Sequence, residues 1–396
     1  MGRSVLGLLK ASVSPLSPRI LLKGGVEMKS VIVLCTCLSV LLWTGSSLSQ
    51  EKVPLGLPPV PIPEDNPQTA EKIALGKKLF EDKRFSADGT ISCAHCHDPA
   101  KAFADGLPVA EGIKKLKGTR NSPTVINSAY YTSQFWDGRR LTLEEQAKDP
   151  FLNPVEHGLG EKQGFHDFII NLIRKDKGYV EEFERVFGVK PEQITIDHVV
   201  KAIASFERTV ISGDSPFDRY VYGGVKTALS EAAIRGLELY KGKARCQECH
   251  AISENHAVFT DNKFHNLGVG FKKIQPRLRD IVREFRMAKQ QGQEPDKSKF
   301  TDEEISELGR FVVTLKTSDI GAFKTPTLRN IAVTGPYMHD GSMKTLEEVM
   351  DLYNKGGEKN PFLGSVRVLD LTAQEIKDII EFMKALTSPE FKNLAK

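Results

Sequence analysis

The sequence predicts a mostly α-helical protein built as two similar domains, and three observations carry that prediction. The pattern C-x-x-C-H occurs twice, as "CAHCH" from Cys93 and "CQECH" from Cys246. Each copy follows a helix-forming stretch and a short basic or glycine-bearing turn, "TAEKIALGKKLFED" before the first and "SEAAIRGLELYKG" before the second. Strand-like runs are few and short. The 396 residues suffice for two domains, and 40% hydrophobic with 27% charged residues is ordinary for a soluble chain. The formal charge of +4 comes from residues 1–50, which hold five Lys/Arg and one Glu. The remainder is neutral, so no nucleic-acid partner is expected.

Residues 1–50 read as upstream residues and an export signal. "MKS" at Met28 supplies a basic start, "VIVLCTCLSVLLW" an apolar stretch and "TGSSLSQ" a small-residue cleavage region. The apolar run is short for a membrane span, and the residues before Met28 have no signal character, so Met28 is the expected start. The expected destination is the periplasm. Cys35 and Cys37 leave with the signal, and the four remaining cysteines all belong to the two motifs. An exported chain with none to spare is not built on disulfides.

Residues 51–66, with five prolines, read as an extended lead-in. The first domain is expected over 67–222. Its opening helix presents Ile73, Leu75, Leu79 and Phe80, and "FHDFIINLIRKD" and "DHVVKAIASFERTVIS" supply further helices. The turn formers of "SGDSPFDRYVYGG" mark the boundary. The second domain, 223–396, closes on "TAQEIKDIIEFMKALT", with Thr372 as N-cap and Ile376, Ile379, Ile380 and Met383 on one face.

C-x-x-C-H is the attachment signature of c-type haem: both thiols add to one porphyrin and the next residue delivers an imidazole to iron. A shared zinc site is disfavoured by the long separation of the pairs. Cys93, Cys96, Cys246 and Cys249 are therefore the attachment cysteines, and His97 and His250 the proximal iron ligands. His95 reads as a surface residue. The fold expected is mostly α, two cytochrome c-like domains with one covalently attached haem each.

Electron-transfer haems of this kind carry a second strong ligand, Met or His. Between Met28 and Met287 there is no methionine, and between His97 and His157 no histidine. His157, His166 and His198 are what remains for the first haem, so its second face is expected to be open. "LEEQAKDPFLNPVEHG" offers Gln146, Pro150 and Glu156 to line it. A carboxylate there can shuttle the proton that peroxide O–O cleavage requires, although Glu156 reads equally as a loop carboxylate. Trp136, the only tryptophan after the signal segment, is either core packing or a redox relay.

With these residues in view, the chain resembles the bacterial di-haem cytochrome c peroxidases, including the MauG-type enzymes, from about residue 65 to 388. The likeness rests on "GKKLFEDKRFSADGTISCAHCHDP", "NSPTVINSAYYTSQFWDGR", "NPVEHG", "SPFDRY" and "FKTPTLRNIAVTGPYMHDGSMKTLEEV", with both haem motifs in order. The resemblance implies that the first haem is peroxidatic, with Glu156 as acid/base and Gln146 in its distal pocket, and that Trp136 lies between the haems. It also implies calcium between the domains, with Asn121, Thr334 and Pro336 as ligands. Two departures refine it. The loop "LPVAEGIKKLKGTRN" lacks the distal histidine of many such peroxidases, and Tyr353 stands where the usual axial methionine would, as in MauG-type enzymes. Met338, Met343 and Met350 are alternative ligands nearby. MauG carries a tryptophan two residues before its second motif, where this chain has Ala244.

The expected function is thus an exported oxidoreductase that uses hydrogen peroxide to reach a high-valent haem state and oxidises a redox partner protein, MauG-like, with a Trp or Tyr side chain as the candidate target. A peroxide-scavenging enzyme fed by a small cytochrome is the first alternative, and a non-catalytic di-haem electron carrier the second. The sequence leaves the oligomeric state open, with a homodimer as one candidate.

Overall fold

A computed structural model describes residues 53–160 and 164–394, all within one compact unit spanning residues 48–396. The export-signal reading of residues 1–50 lies outside the described residues. The architecture is helical. Among the described residues the one named sheet joins Phe264–His265 to Phe323–Lys324, antiparallel, with Phe264 opposite Lys324. No helix among them is long and apolar enough to cross a membrane.

Two crossed helix pairs form the frame. In the first half, Ala70–Glu81 starts at Thr69, whose side chain accepts from the Lys72 amide. It buries Leu75, Leu79 and Phe80 against Ile196–Glu207, while Ile73 is only half-buried. The two backbones touch at Gly76, where a Cβ would sit 1.8 Å from the Ala202 carbonyl oxygen. In the second half, Glu231–Lys241 crosses Ala373–Lys384 the same way, and a Cβ on Gly236 would lie 1.9 Å from the Asp378 carbonyl oxygen. Phe80 meets Phe206 at 5.2 Å and Tyr240 meets Phe382 at 4.9 Å between ring centroids. Thr372 caps its helix as expected, in a reciprocal capping box with Glu375. Ile379, Ile380 and Met383 are buried and Ile376 packs at the edge of that cluster.

The likeness of the halves runs far beyond helix, turn and motif. Phe103 and Phe259 both adopt a left-handed backbone shortly after their motifs, at φ 55 and 58. Thr124 and Thr327 then donate to the carbonyls of Ala102 and Val258, each at 2.7 Å. Asn127 and Asn330 turn left-handed at φ 63 and 59. Paired bridges follow, Gln134 with Arg140 and Tyr337 with Met343, and then a "TLEE" helix start in each half, capped by Thr142 and Thr345. The first half carries an insertion with helices Phe165–Lys175 and Lys177–Phe187. The second carries one with Leu278–Gln290 and Asp302–Glu307, which has its own apolar cluster around Ile281, Phe285 and Phe311.

The lead-in has no helix or strand over its described part, residues 53–66, yet it is held by both halves. The Pro58 carbonyl accepts from Tyr130 Oη at 2.9 Å, and Asn66 donates to Glu144 at 2.7 Å. The Gly56 carbonyl accepts from Arg329 Nη2 at 2.7 Å and from the Ala257 amide at 2.9 Å. Arg329 also grips Asp218 with two bonds of 2.8 and 2.9 Å, both side chains being 0% exposed. Bidentate geometry and carbonyl partners satisfy this guanidinium in a place where an unpaired charge would cost several kcal/mol.

Candidate functional site

The second motif opens onto a cavity of about 250 Å³ lined by Cys246, Cys249, His250 and Tyr353. Cys246–Glu248 form a tight turn that brings both thiols to one side of the chain. Both are free, and burial pushes them up to about 12 and about 11. His250 Nδ1 lies 3.0 Å from the Phe259 carbonyl, which fixes the ring and leaves Nε2 for a metal. Tyr240 Oη donates to the His250 carbonyl. Burial beside the two cysteines raises the Tyr353 phenol well above its usual value. Met338 and Met350 line the same cavity. Two free thiols, an imidazole with one nitrogen tied back, and phenol and thioether donors together fit a covalently attached haem. Cys249, Asp261 and His265 do come within metal-binding reach of one another, but His265 Nε2 already meets Asp261 at 2.8 Å.

The first motif occupies the matching position. Cys93 packs against the core of Leu79, Phe80 and Phe206, and the His97 ring lies 6.4 Å from Phe80. His97 Nδ1 is buried and makes no hydrogen bond among the described residues. The Glu156 carboxylate acts electrostatically on both Cys93 and Cys96, which puts it beside this motif. Its Oε1 accepts from Asn153 Nδ2 at 2.6 Å, and burial raises its pKa against the pull of Arg139. Gln146 ends the short Leu143–Gln146 helix and is half-buried, and Pro150 follows in Asp149–Leu152. Counted from the two capping threonines, Pro150 and Tyr353 fall at the same step of the repeat.

The histidines left over for this site have other engagements. His157 is 3% exposed, with Nδ1 3.0 Å from the Phe85 carbonyl and its ring edge-on to Phe151, and burial lowers it to about 4. His198 closes a capping box with Thr195 at the start of its helix. His166 is half-buried on Phe165–Lys175.

Trp136 belongs to the first half by sequence but lines the second motif's cavity. Its indole Nε1 donates to the Asn121 carbonyl at 2.9 Å, and its own carbonyl accepts from the Lys324 amide at 2.8 Å. Asn121, Thr334 and Pro336 line this same cavity. Asn121 Nδ2 donates to Leu107 at 2.9 Å, which leaves Oδ1 without a donor among the described residues. Ala244 also faces the cavity, whereas Met343 is not among its lining residues.

Two residues escaped the sequence reading. Glu207, in "SFERT", is 4% exposed with Oε2 unpartnered among the described residues, and burial lifts it to about 8. It acts on Cys93, and the repeat places it opposite Met383, which lines the second cavity. An acid on the apolar face of a helix was the available signal. Lys324, in "FKTPT", is 6% exposed and lines the second cavity. Nothing in its local sequence marks it as buried.

Comparison with known proteins matches this geometry. The family model described as di-haem cytochrome c peroxidase fits residues 70–226. The chain is 40% identical over 343 residues to cytochrome-c peroxidase IdrP1 of Denitromonas iodatirespirans, covering 85% of this chain and 87% of that protein. It is 36% identical to the methylamine utilization protein MauG of Methylorubrum extorquens, over 83% of this chain and 81% of that one. Among solved structures, a MauG-like protein associated with microbial copper homeostasis superimposes with a TM-score of 0.69 at 34% identity, covering 86% of this chain and 95% of that one. The chain therefore belongs to the di-haem cytochrome c peroxidase and MauG family, peroxidase-type oxidoreductases for which two c-type haems are implied.

Proposed function

We propose that the chain is a MauG-type oxidoreductase acting on hydrogen peroxide and a partner protein: Cys93, Cys96 and His97 would hold the haem that meets peroxide, Cys246, Cys249, His250 and Tyr353 would hold the second, beside which the partner would be oxidised, and Trp136 would link the two. The two haems, when attached, supply the redox chemistry: reduction of peroxide and storage of two oxidising equivalents. Glu156 takes the proton from the inner peroxide oxygen and returns it to the outer one, which leaves as water. Asn153 orients that carboxylate, and Gln146 lies on the same stretch to orient the substrate. Asn121 and the carbonyls of Thr334 and Pro336 offer hard oxygen donors for calcium beside Trp136. The halves 67–222 and 223–396 act as two cytochrome c-like domains, and the mature chain works in the periplasm after loss of a signal peptide.

One observation carries the reading. The repeat puts proline, whose side chain has no ligand atom, where the second half has tyrosine, which supports an open first site and a capped second one. Low-temperature EPR of the diferric protein tests it: a high-spin signal beside a low-spin His/Tyr signal is expected. Two low-spin signals would leave a reductively activated peroxidase or an electron carrier. The scavenging reading, with electrons drawn from a small cytochrome, is favoured by Met338 and Met350 on the same cavity wall. It takes over if Tyr353→Phe leaves the low-spin signal unchanged while Met338→Leu or Met350→Leu alters it.

A further inference from the structure

Lys324 is a buried amine with no carboxylate partner among the described residues. Its side chain lines the cavity of the second motif, and Nζ lies 3.4 Å from the centre of the Tyr131 ring. Among the described residues that ring is the close partner recorded for Nζ and no acid acts on it, and burial pushes it down to about 7. Ammonium groups this deeply buried are ordinarily paired, because desolvation is costly and an aromatic face returns only part of the loss. The repeat sharpens the point: the equivalent residue of the first half is Asn121, a neutral amide already bonded to Leu107.

We propose that Lys324 is the socket for a propionate carboxylate of the second haem and holds a positive charge beside that haem alone. This rests on the di-haem reading above. The porphyrin's two propionates are its anionic groups, and a lysine aimed into the cavity from the Phe323–Lys324 strand supplies the missing pair. The Lys324 amide is bonded to the Trp136 carbonyl, so the backbone that carries the lysine is fixed to the residue proposed to carry equivalents between the haems.

The test is the reduction potential of each haem, measured by spectropotentiometry on the full haem-loaded protein with Lys324→Met and Lys324→Arg. Loss of a nearby positive charge favours the oxidised state. The Met variant should therefore shift the second haem to lower potential, with the first haem and both EPR signatures unchanged, and the Arg variant should stay near the wild type. An unmoved second haem, or an equal shift of both haems, would overturn the proposal. So would an altered low-spin signal, because Lys324 would then act on the axial ligand. A wild-type protein with no haem on its second motif would sink the di-haem reading instead, and that is read before any variant is made.

Discussion

Thr142 and Thr345 cap the same turn of the same repeat, yet eight residues later one half presents Pro150 and the other Tyr353. The same register sets Asn121 against Lys324 and Ile126 against Arg329, and the paired helix crossings set Glu207 against Met383. The frame is common to both halves: crossed helices touching at a glycine, left-handed turns at matched places, and a cysteine-histidine motif between them. What differs is the handful of side chains facing each site. Backbone geometry makes a socket, and these few residues decide whether it reacts or relays.

The largest break in that comparison should come from Glu156→Gln. Peroxide turnover is expected to fall by roughly 10²–10⁴-fold, the usual worth of a positioned acid/base, with both haems still attached. Because burial raises the Glu156 carboxyl, the acid limb of the wild-type profile should also lie above the ordinary carboxylate range. Steady-state rates across pH, with haem absorbance as control, measure both. Normal turnover in the variant would remove Glu156 from the mechanism.

Glu207 gives the next effect, on stability. Its folded pKa, about 8, is above the unfolded value, so the folded state retains a proton the unfolded chain has lost. Its contribution is full below the ordinary carboxylate pKa and is lost as pH rises towards 8, with a slope of at most about 1.4 kcal/mol per pH unit. Glu207→Gln should flatten that slope in denaturant titrations between pH 5 and 8. Met383, its counterpart, has nothing to titrate.

The smallest effect probes what the halves share. Gly76→Ala and Gly236→Ala each force a methyl onto a facing carbonyl, and should each cost about 1–3 kcal/mol. Thermal unfolding of the pair should show nearly equal losses. A large inequality would mean that one crossing is looser than its geometry suggests.

Caps, amphipathic faces and haem motifs were legible in the sequence because each is local: Thr372 with Glu375, or a histidine directly after two spaced cysteines. The full repeat was not, because unlike insertions push its matched residues out of step. Helices of the 165–187 region lengthen one half, and those of the 271–314 region lengthen the other. Burial was equally hidden. His157 looked available for iron by elimination, but Phe85 and Phe151 hold it in the core. Lys324 and Glu207 look like surface charges until the chain is folded around them. The proline-rich lead-in was legible as extended, but Tyr130, Glu144, Ala257 and Arg329, which hold it to both halves, are distant in sequence.

Those partners set an order of assembly. A ribosome delivers Gly56 early, both cysteine motifs later, and Arg329 only after them. The guanidinium that fastens the Gly56 carbonyl to Asp218 cannot close until that late residue arrives. The Gly56 end of the leading segment therefore stays unlatched from Arg329 until both motifs have emerged.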